Sequence, residues 1–92
     1  MKYAVRTTTR FKKSLARMLR RGKDPAKLEA VVRALAEGHP LPPRCHDHAL
    51  SGDLAGLRDC HIEPDWVLLY YIQNDLLVLV LADTGSHSDL SL

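Results

Sequence analysis

Two apolar runs, Val67 to Gln73 and Leu76 to Ala82, lie on either side of the pair Asn74-Asp75. The longer uninterrupted stretch is far short of the roughly 20 residues a bilayer-spanning helix requires. Short, nearly continuous apolar runs separated by a turn signal are the pattern of central strands that bury at least one face. Aromatic residues make up only 5% of the chain, so Leu, Val and Ala must build most of the cover.

That cover is legible upstream. Tyr3 to Thr8 is short and rich in strand formers, which predicts a first strand. Thr9 is the expected cap of a helix reaching about Arg21, with Phe11, Leu15, Met18 and Leu19 at helical spacing and Gly22 as its stop. Asp24-Pro25 is a second start signal, and Leu28, Val31, Val32 and Leu35 form the apolar stripe of a helix closed by Gly38. His39 to His48 contains Pro40, Pro42 and Pro43, which predicts an extended loop. From Leu57 to Ile62 the residues alternate, so Leu57, Asp59 and His61 share one face of a strand and Arg58, Cys60 and Ile62 the other. Glu63-Pro64-Asp65 turns into the first apolar run, and Thr84-Gly85-Ser86 is expected to end the second. The expected fold is a single α+β domain over residues 1–92, in the order β-α-α-β-β-β. Two N-terminal helices pack on one face of a mostly antiparallel four-stranded sheet, leaving the other face partly free.

Charge divides at the middle of the chain. Residues 1–44 carry twelve Lys/Arg against three acids, a balance of +9, and residues 45–92 carry one Arg against eight acids, a balance of −7. Helix surfaces bear Lys and Arg as a matter of course, but a basic flank is also what a polyanion selects, through counterion release. Met1 to Arg10 is mixed and polar, unlike a secretory leader, and Cys45 and Cys60 form neither a disulfide framework nor a paired zinc motif. Both observations point to the cytoplasm.

Five histidines stand in 92 residues: His39, His46, His48, His61 and His87. A lone loop histidine is ordinarily a solvated side chain. Here, however, the proline loop, a strand and the C-terminal tail each bring one toward one end of a sheet. Imidazole both accepts and donates protons near neutrality, which suits cleavage of RNA through its own 2′-hydroxyl. That reaction needs a base, an acid and cations for the charge on phosphate. Two other uses compete. His46-x-His48 with His61, Asp65 and His87 has zinc-ligand chemistry but no established metal-binding spacing. A thiol or serine nucleophile lacks a supporting motif, and Trp66 serves equally as core or as a stacking platform.

The segments Asp47-His48-Ala49-Leu50, Arg58-Asp59-Cys60-His61-Ile62-Glu63-Pro64-Asp65-Trp66 and Thr84-Gly85-Ser86-His87-Ser88 closely resemble, in order and spacing, the signature of YafQ-type toxins within the RelE superfamily. The resemblance spans essentially the whole chain. It implies a ribosome-dependent mRNA endonuclease inhibited by a co-encoded antitoxin, expected to be a ribbon-helix-helix protein of the DinJ kind. It implies functional positions at His48, His61, Asp65 and His87, with Trp66 beside them. The family pattern also has a phenylalanine four residues after the last histidine, where this chain has Ser91 between Leu90 and Leu92.

The working roles are His87 as general acid, His48 as general base, His61 as a phosphate or second proton ligand, and Asp65 as the group orienting an imidazole. Arg58, Lys12, Lys13 and Arg17 are expected to contact RNA phosphate, and Trp66 is expected to contact the RNA as a platform for a base. No metal or other cofactor is expected, no membrane contact, and DNA only through the antitoxin. The alternatives are a nucleic-acid adaptor using its two helices as a helix-turn-helix, and a degenerate toxin that keeps only antitoxin binding and co-repression.

Overall fold

The computed structural model describes residues 1–92. Strand β1 (Ala4–Thr7) leads into helix α1 (Thr9–Arg20) and then α2 (Pro25–Ala36). After the proline loop come β2 (His48–Ala49), β3 (Arg58–Glu63), β4 (Trp66–Gln73) and β5 (Val78–Gly85). The sheet therefore has five strands rather than four, in the order β1-β5-β4-β3-β2. The additional strand is the two-residue end of the proline loop, where His48 and Ala49 pair with Asp59 and Arg58. Only β1 runs parallel to its neighbour; the other pairs are antiparallel. No helix is long and apolar enough to cross a membrane.

Local chemistry accounts for the helix boundaries. Thr8, one residue before the expected cap, accepts from the Phe11 amide at 3.0 Å and donates to the Ala82 carbonyl at 2.7 Å. One hydroxyl thus caps α1 and ties its start to β5, which Thr9 is not placed to do. Gly22 leaves the helix at φ +88°, in the left-handed region that favours glycine. Asp24 caps α2 through the Ala26 amide at 2.9 Å, with Pro25 in the first turn as expected.

Phe11, Met18, Leu28 and Leu35 bury their stripes against Cys60, Leu68, Tyr70, Leu79 and Leu81 on one face of the sheet. Alternation sends Val67, Leu69 and Val80 to the opposite face, where they too are buried. The second apolar run enters its strand later than its composition implies. Leu76 and Leu77 form the turn and remain exposed, and Leu77 adopts φ +52°. Thr84 and Gly85 continue the strand instead of ending it, because they pair with Leu68 and Val67.

Candidate functional site

Sheet register assembles the site. His48 pairs with Asp59, and His61 lies beside Val67, which lies beside Gly85. His87, two residues beyond Gly85, is thereby brought to His61 on the face away from the helices. The His61 and His87 ring centroids are 5.0 Å apart with the planes crossing at 80°. His46 adopts φ +47° at the end of a short helical turn, Pro43–Cys45, and sets its ring 5.6 Å from that of His61. His39 stands apart, 66% exposed and 3.5 Å from Glu37.

Three anchors hold the elements that carry these rings. Asp47 docks the proline loop, accepting from the Tyr70 hydroxyl at 2.6 Å and from Arg58 Nε at 3.2 Å. Burial and the Asp47 carboxylate raise the Tyr70 phenol well above its ordinary pKa, so it remains a donor. Asp65 anchors the histidine after β5: its Oδ1 accepts from the His87 amide at 2.9 Å and lies 2.6 Å from His87 Nδ1. The backbone amide first, and then the imidazole, hold the Asp65 carboxyl below the usual carboxylate range. The third anchor is reciprocal. Asp89 accepts from the Ser86 amide at 2.9 Å while Ser86 Oγ accepts from the Asp89 amide at 3.0 Å, a capping box spanning four residues. Arg21 of the α1 terminus grips the same Asp89 at 2.6 and 3.1 Å, and with Ser86 it holds that carboxyl far below its ordinary value. Gly85 permits this closeness: a Cβ there would stand 2.9 Å from Asp89 Cβ.

The expected site residues therefore divide. His48, His61, Asp65 and His87 share one face, but Trp66 has no exposure at all. Its Nε1 donates to Thr84 Oγ1 at 2.9 Å, and its ring is part of the core, so the stacking platform expected of it is corrected to a core role. Arg58 alternates onto the helix side with Cys60 and is engaged by Asp47 and by the Tyr70 hydroxyl at 3.3 Å, so it does not face the histidine cluster. Residues on a helix advance by about 100° each, which puts Lys13 and Arg17 within about 40° of one another on the Arg21 flank. Lys12 lies about 140° round from Arg17 by the same geometry, away from the site.

Part of the basic half is spent inside the molecule, since Lys23 and Lys27 both pair with Glu63 at 2.8 Å. Burial pushes both thiols up, Cys60 strongly, so neither is an activated nucleophile. No three His, Cys, Asp or Glu side chains converge on a point that a metal ion could occupy.

Sequence reasoning gave Asp65 a role but missed the other two anchors, Asp47 and Asp89. Asp47 lay within a quoted motif without a role, while the Ser86-x-x-Asp89 spacing is a capping-box signature and was legible. Arg10, on the same flank as Arg17, lines a cleft of about 340 Å³ with Asp83, Asp89 and Leu90. Asp59 was placed on the His61 face without being assigned a role.

Comparison with known proteins agrees with this architecture. Residues 3–92 match the family described as bacterial toxin of type II toxin-antitoxin system, YafQ. The mRNA interferase toxin YafQ of Escherichia coli K12 is 37% identical over 81 residues, covering 87% of this chain and 86% of the relative. A metal-bound toxin from Helicobacter pylori superposes with a TM-score of 0.90 at 39% identity, over 96% of this chain and 98% of that one. The toxin in the crystal structure of the E. coli DinJ-YafQ toxin-antitoxin complex does so with a TM-score of 0.85 at 32% identity, over 98% of each. The chain belongs to the YafQ family of bacterial type II toxin–antitoxin toxins.

Proposed function

We propose that this toxin is a ribosome-dependent endoribonuclease that cuts mRNA by attack of the 2′-hydroxyl on the adjacent phosphorus. The observation that carries the reading is the pair of imidazoles crossing at 5.0 Å, one of them oriented by a carboxylate 2.6 Å from its Nδ1. Asp65 takes the Nδ1 side of His87, so the imidazolium form of that ring has its second proton on Nε2 and donates it to the departing 5′-oxygen. His61 is 20% exposed and adjacent to that ring, which favours it, in place of the His48 expected from the sequence, as the base that takes the 2′-hydroxyl proton. His48 is 53% exposed and turns its Nδ1 onto the His46 carbonyl, and as the imidazolium it would hold phosphate through Nε2. The P–O5′ bond breaks as the O2′–P bond forms, leaving a 2′,3′-cyclic phosphate and a 5′-hydroxyl. Lys13 and Arg17 supply positive charge on the flank that faces the C-terminal turn. The relative in E. coli is itself an mRNA interferase toxin.

This chemistry needs no metal, because RNA supplies the nucleophile and imidazole both protons. A related H. pylori toxin is metal-bound, but the ligand-type side chains of this chain do not converge as a metal site requires. The test is cleavage of a defined message on purified ribosomes by metal-analysed protein, with the product ends identified. Cyclic phosphate and 5′-hydroxyl ends are expected from protein free of bound metal; 3′-hydroxyl ends, or stoichiometric zinc in the active protein, would overturn the reading.

Inhibition by an acidic, partly apolar antitoxin segment follows from the same surface, as E. coli YafQ is complexed with DinJ. Such a segment folds as it binds and covers the site. Rim charges act mainly on association rate. Replacing Lys13 and Arg17 together with Gln is expected to slow antitoxin association several-fold at low salt, with the difference from wild type vanishing at high salt. Stopped-flow rates across a salt series check this, and a flat wild-type response would make the basic flank an ordinary solvated surface.

A further inference from the structure

Asp59 is the one carboxylate around the site that has no hydrogen-bond donor of its own. Asp47, Glu63, Asp65 and Asp89 each accept from a named donor. The Asp59 side chain is 5% exposed, and its Oδ1 makes no hydrogen bond. What faces it is imidazole on both sides: His61 Nε2 lies 3.7 Å from Oδ1 and His48 Nε2 lies 3.9 Å from Oδ2. A buried carboxylate left without a hydrogen bond costs stability, and a native structure that retains one has a reason to do so. Nothing in the packing supplies that reason, since an uncharged side chain of the same shape would fill the position on β3 at lower cost.

We propose that Asp59 is a positioning residue that keeps the proton of neutral His61 on Nε2, so that Nδ1 is the nitrogen presented as base; this rests on the ribonuclease reading above. At 3.7 Å the carboxylate makes no hydrogen bond, but its negative charge facing one ring nitrogen favours the tautomer with the proton there and leaves the lone pair on the other. Asp65 does the opposite for His87, facing Nδ1 and freeing Nε2. Two adjacent rings, crossing at 80°, are thus set to opposite tautomers by two carboxylates from opposite ends of one strand and turn. Nδ1 of neutral His61 is thus free to accept the 2′-hydroxyl proton, while His87 donates from Nε2 as the imidazolium, whose other proton is held by Asp65; attack and departure on a single phosphate require one ring in each of these states.

The test uses Asp59→Asn, which preserves shape and removes the buried charge. Its Tm is expected to equal or exceed that of the wild type. Cleavage of ribosome-bound mRNA is expected to fall by about 10-fold or more, in kcat rather than KM, a typical loss for a group that orients a reacting histidine. Nitrogen-15 NMR of the free toxin at about pH 8.5, where imidazoles are ordinarily neutral, is expected to show the His61 proton on Nε2 in the wild type. In the variant it moves toward Nδ1. Asp59→Glu restores a carboxylate and is expected to recover the Nε2–H form and part of the activity. A wild-type His61 protonated on Nδ1 overturns the proposal. So does an Asp59→Asn variant that keeps the wild-type tautomer, whether its activity is unchanged or falls together with its Tm. The NMR measurement needs neither ribosome nor message. A wild type that failed to cut mRNA while its tautomer still depended on Asp59 would therefore discard the ribonuclease reading and leave the positioning role standing.

Discussion

His87→Ala is expected to lower mRNA cleavage by about 10²- to 10⁴-fold, the span ordinarily lost with a general acid, and to relieve the growth arrest expected of the wild type when it is expressed alone. The fold should not follow. The His87 side chain is 37% exposed, and its imidazole contributes only the contact to Asp65 and the edge-on contact to the His61 ring. The second Asp65 contact comes from the His87 backbone amide, and alanine keeps it. Ser86, Asp89 and Arg21 hold the turn independently. A surface substitution of this kind ordinarily changes stability by within about 0.5 kcal/mol. The measurements are single-turnover cleavage on ribosomes, growth after induction, and thermal unfolding of the purified variant. A variant as toxic as wild type would remove His87 from the chemistry, and one that failed to fold would make the loss of toxicity uninformative about proton transfer. His87→Gln, which retains a polar side chain able to reach Asp65, separates those cases.

Trp66 carries the largest expected effect on stability. The whole side chain is buried among the core residues, and its Nε1 donates to Thr84 Oγ1, which in turn donates to the Val67 carbonyl at 2.7 Å. Truncating such a residue to alanine costs about 3–5 kcal/mol, a large part of the 5–15 kcal/mol that ordinarily separates folded from unfolded domains, both approximate ranges. Trp66→Ala should therefore lower Tm by more than about 12 °C for a domain of this size, and cleavage should be lost with the fold. Trp66→Phe keeps most of the buried area and gives up the hydrogen bond, a loss of about 1 kcal/mol, with activity largely retained at temperatures below the transition. The opposite pattern, with Trp66→Phe inactive at unchanged Tm, would return the indole to a direct role on RNA.

The family motif places Trp66 beside its histidines, and the structure gives a physical reason for that neighbourhood without exposure. Trp66 opens β4 immediately after Asp65, and its indole fixes the start of that strand against Thr84 of β5. The turn holding Asp65 and the strand end leading to His87 are thus locked to one another from beneath. A residue can border a reactive cluster in sequence because it supports the backbone there.

Sequence periodicity by itself determined the elements. Apolar residues at helical spacing, the caps at Asp24 and before Phe11, the stop at Gly22, and the turns at Pro64-Asp65 and Asn74-Asp75 are all short-range properties, and every element except the two-residue β2 followed from them to within three residues. Alternation along 57–62 also placed Asp59 with His61 correctly on one face, because side-chain direction in a strand is fixed by parity. Tertiary structure alone decided what those residues meet. His87 reaches Asp65 across 22 positions and Arg21 reaches Asp89 across 68, contacts that exist only once strand register and helix packing are set. The same holds for Asp59, whose significance lies in what it lacks, a hydrogen-bond donor within a buried environment, and for Trp66, Arg58 and Lys12, which lie near the motif or the charge cluster in sequence but point elsewhere in space. Local pattern sets which face a side chain takes on its own element. Which face meets the site is set by how the elements dock, and that is a property of the whole sheet.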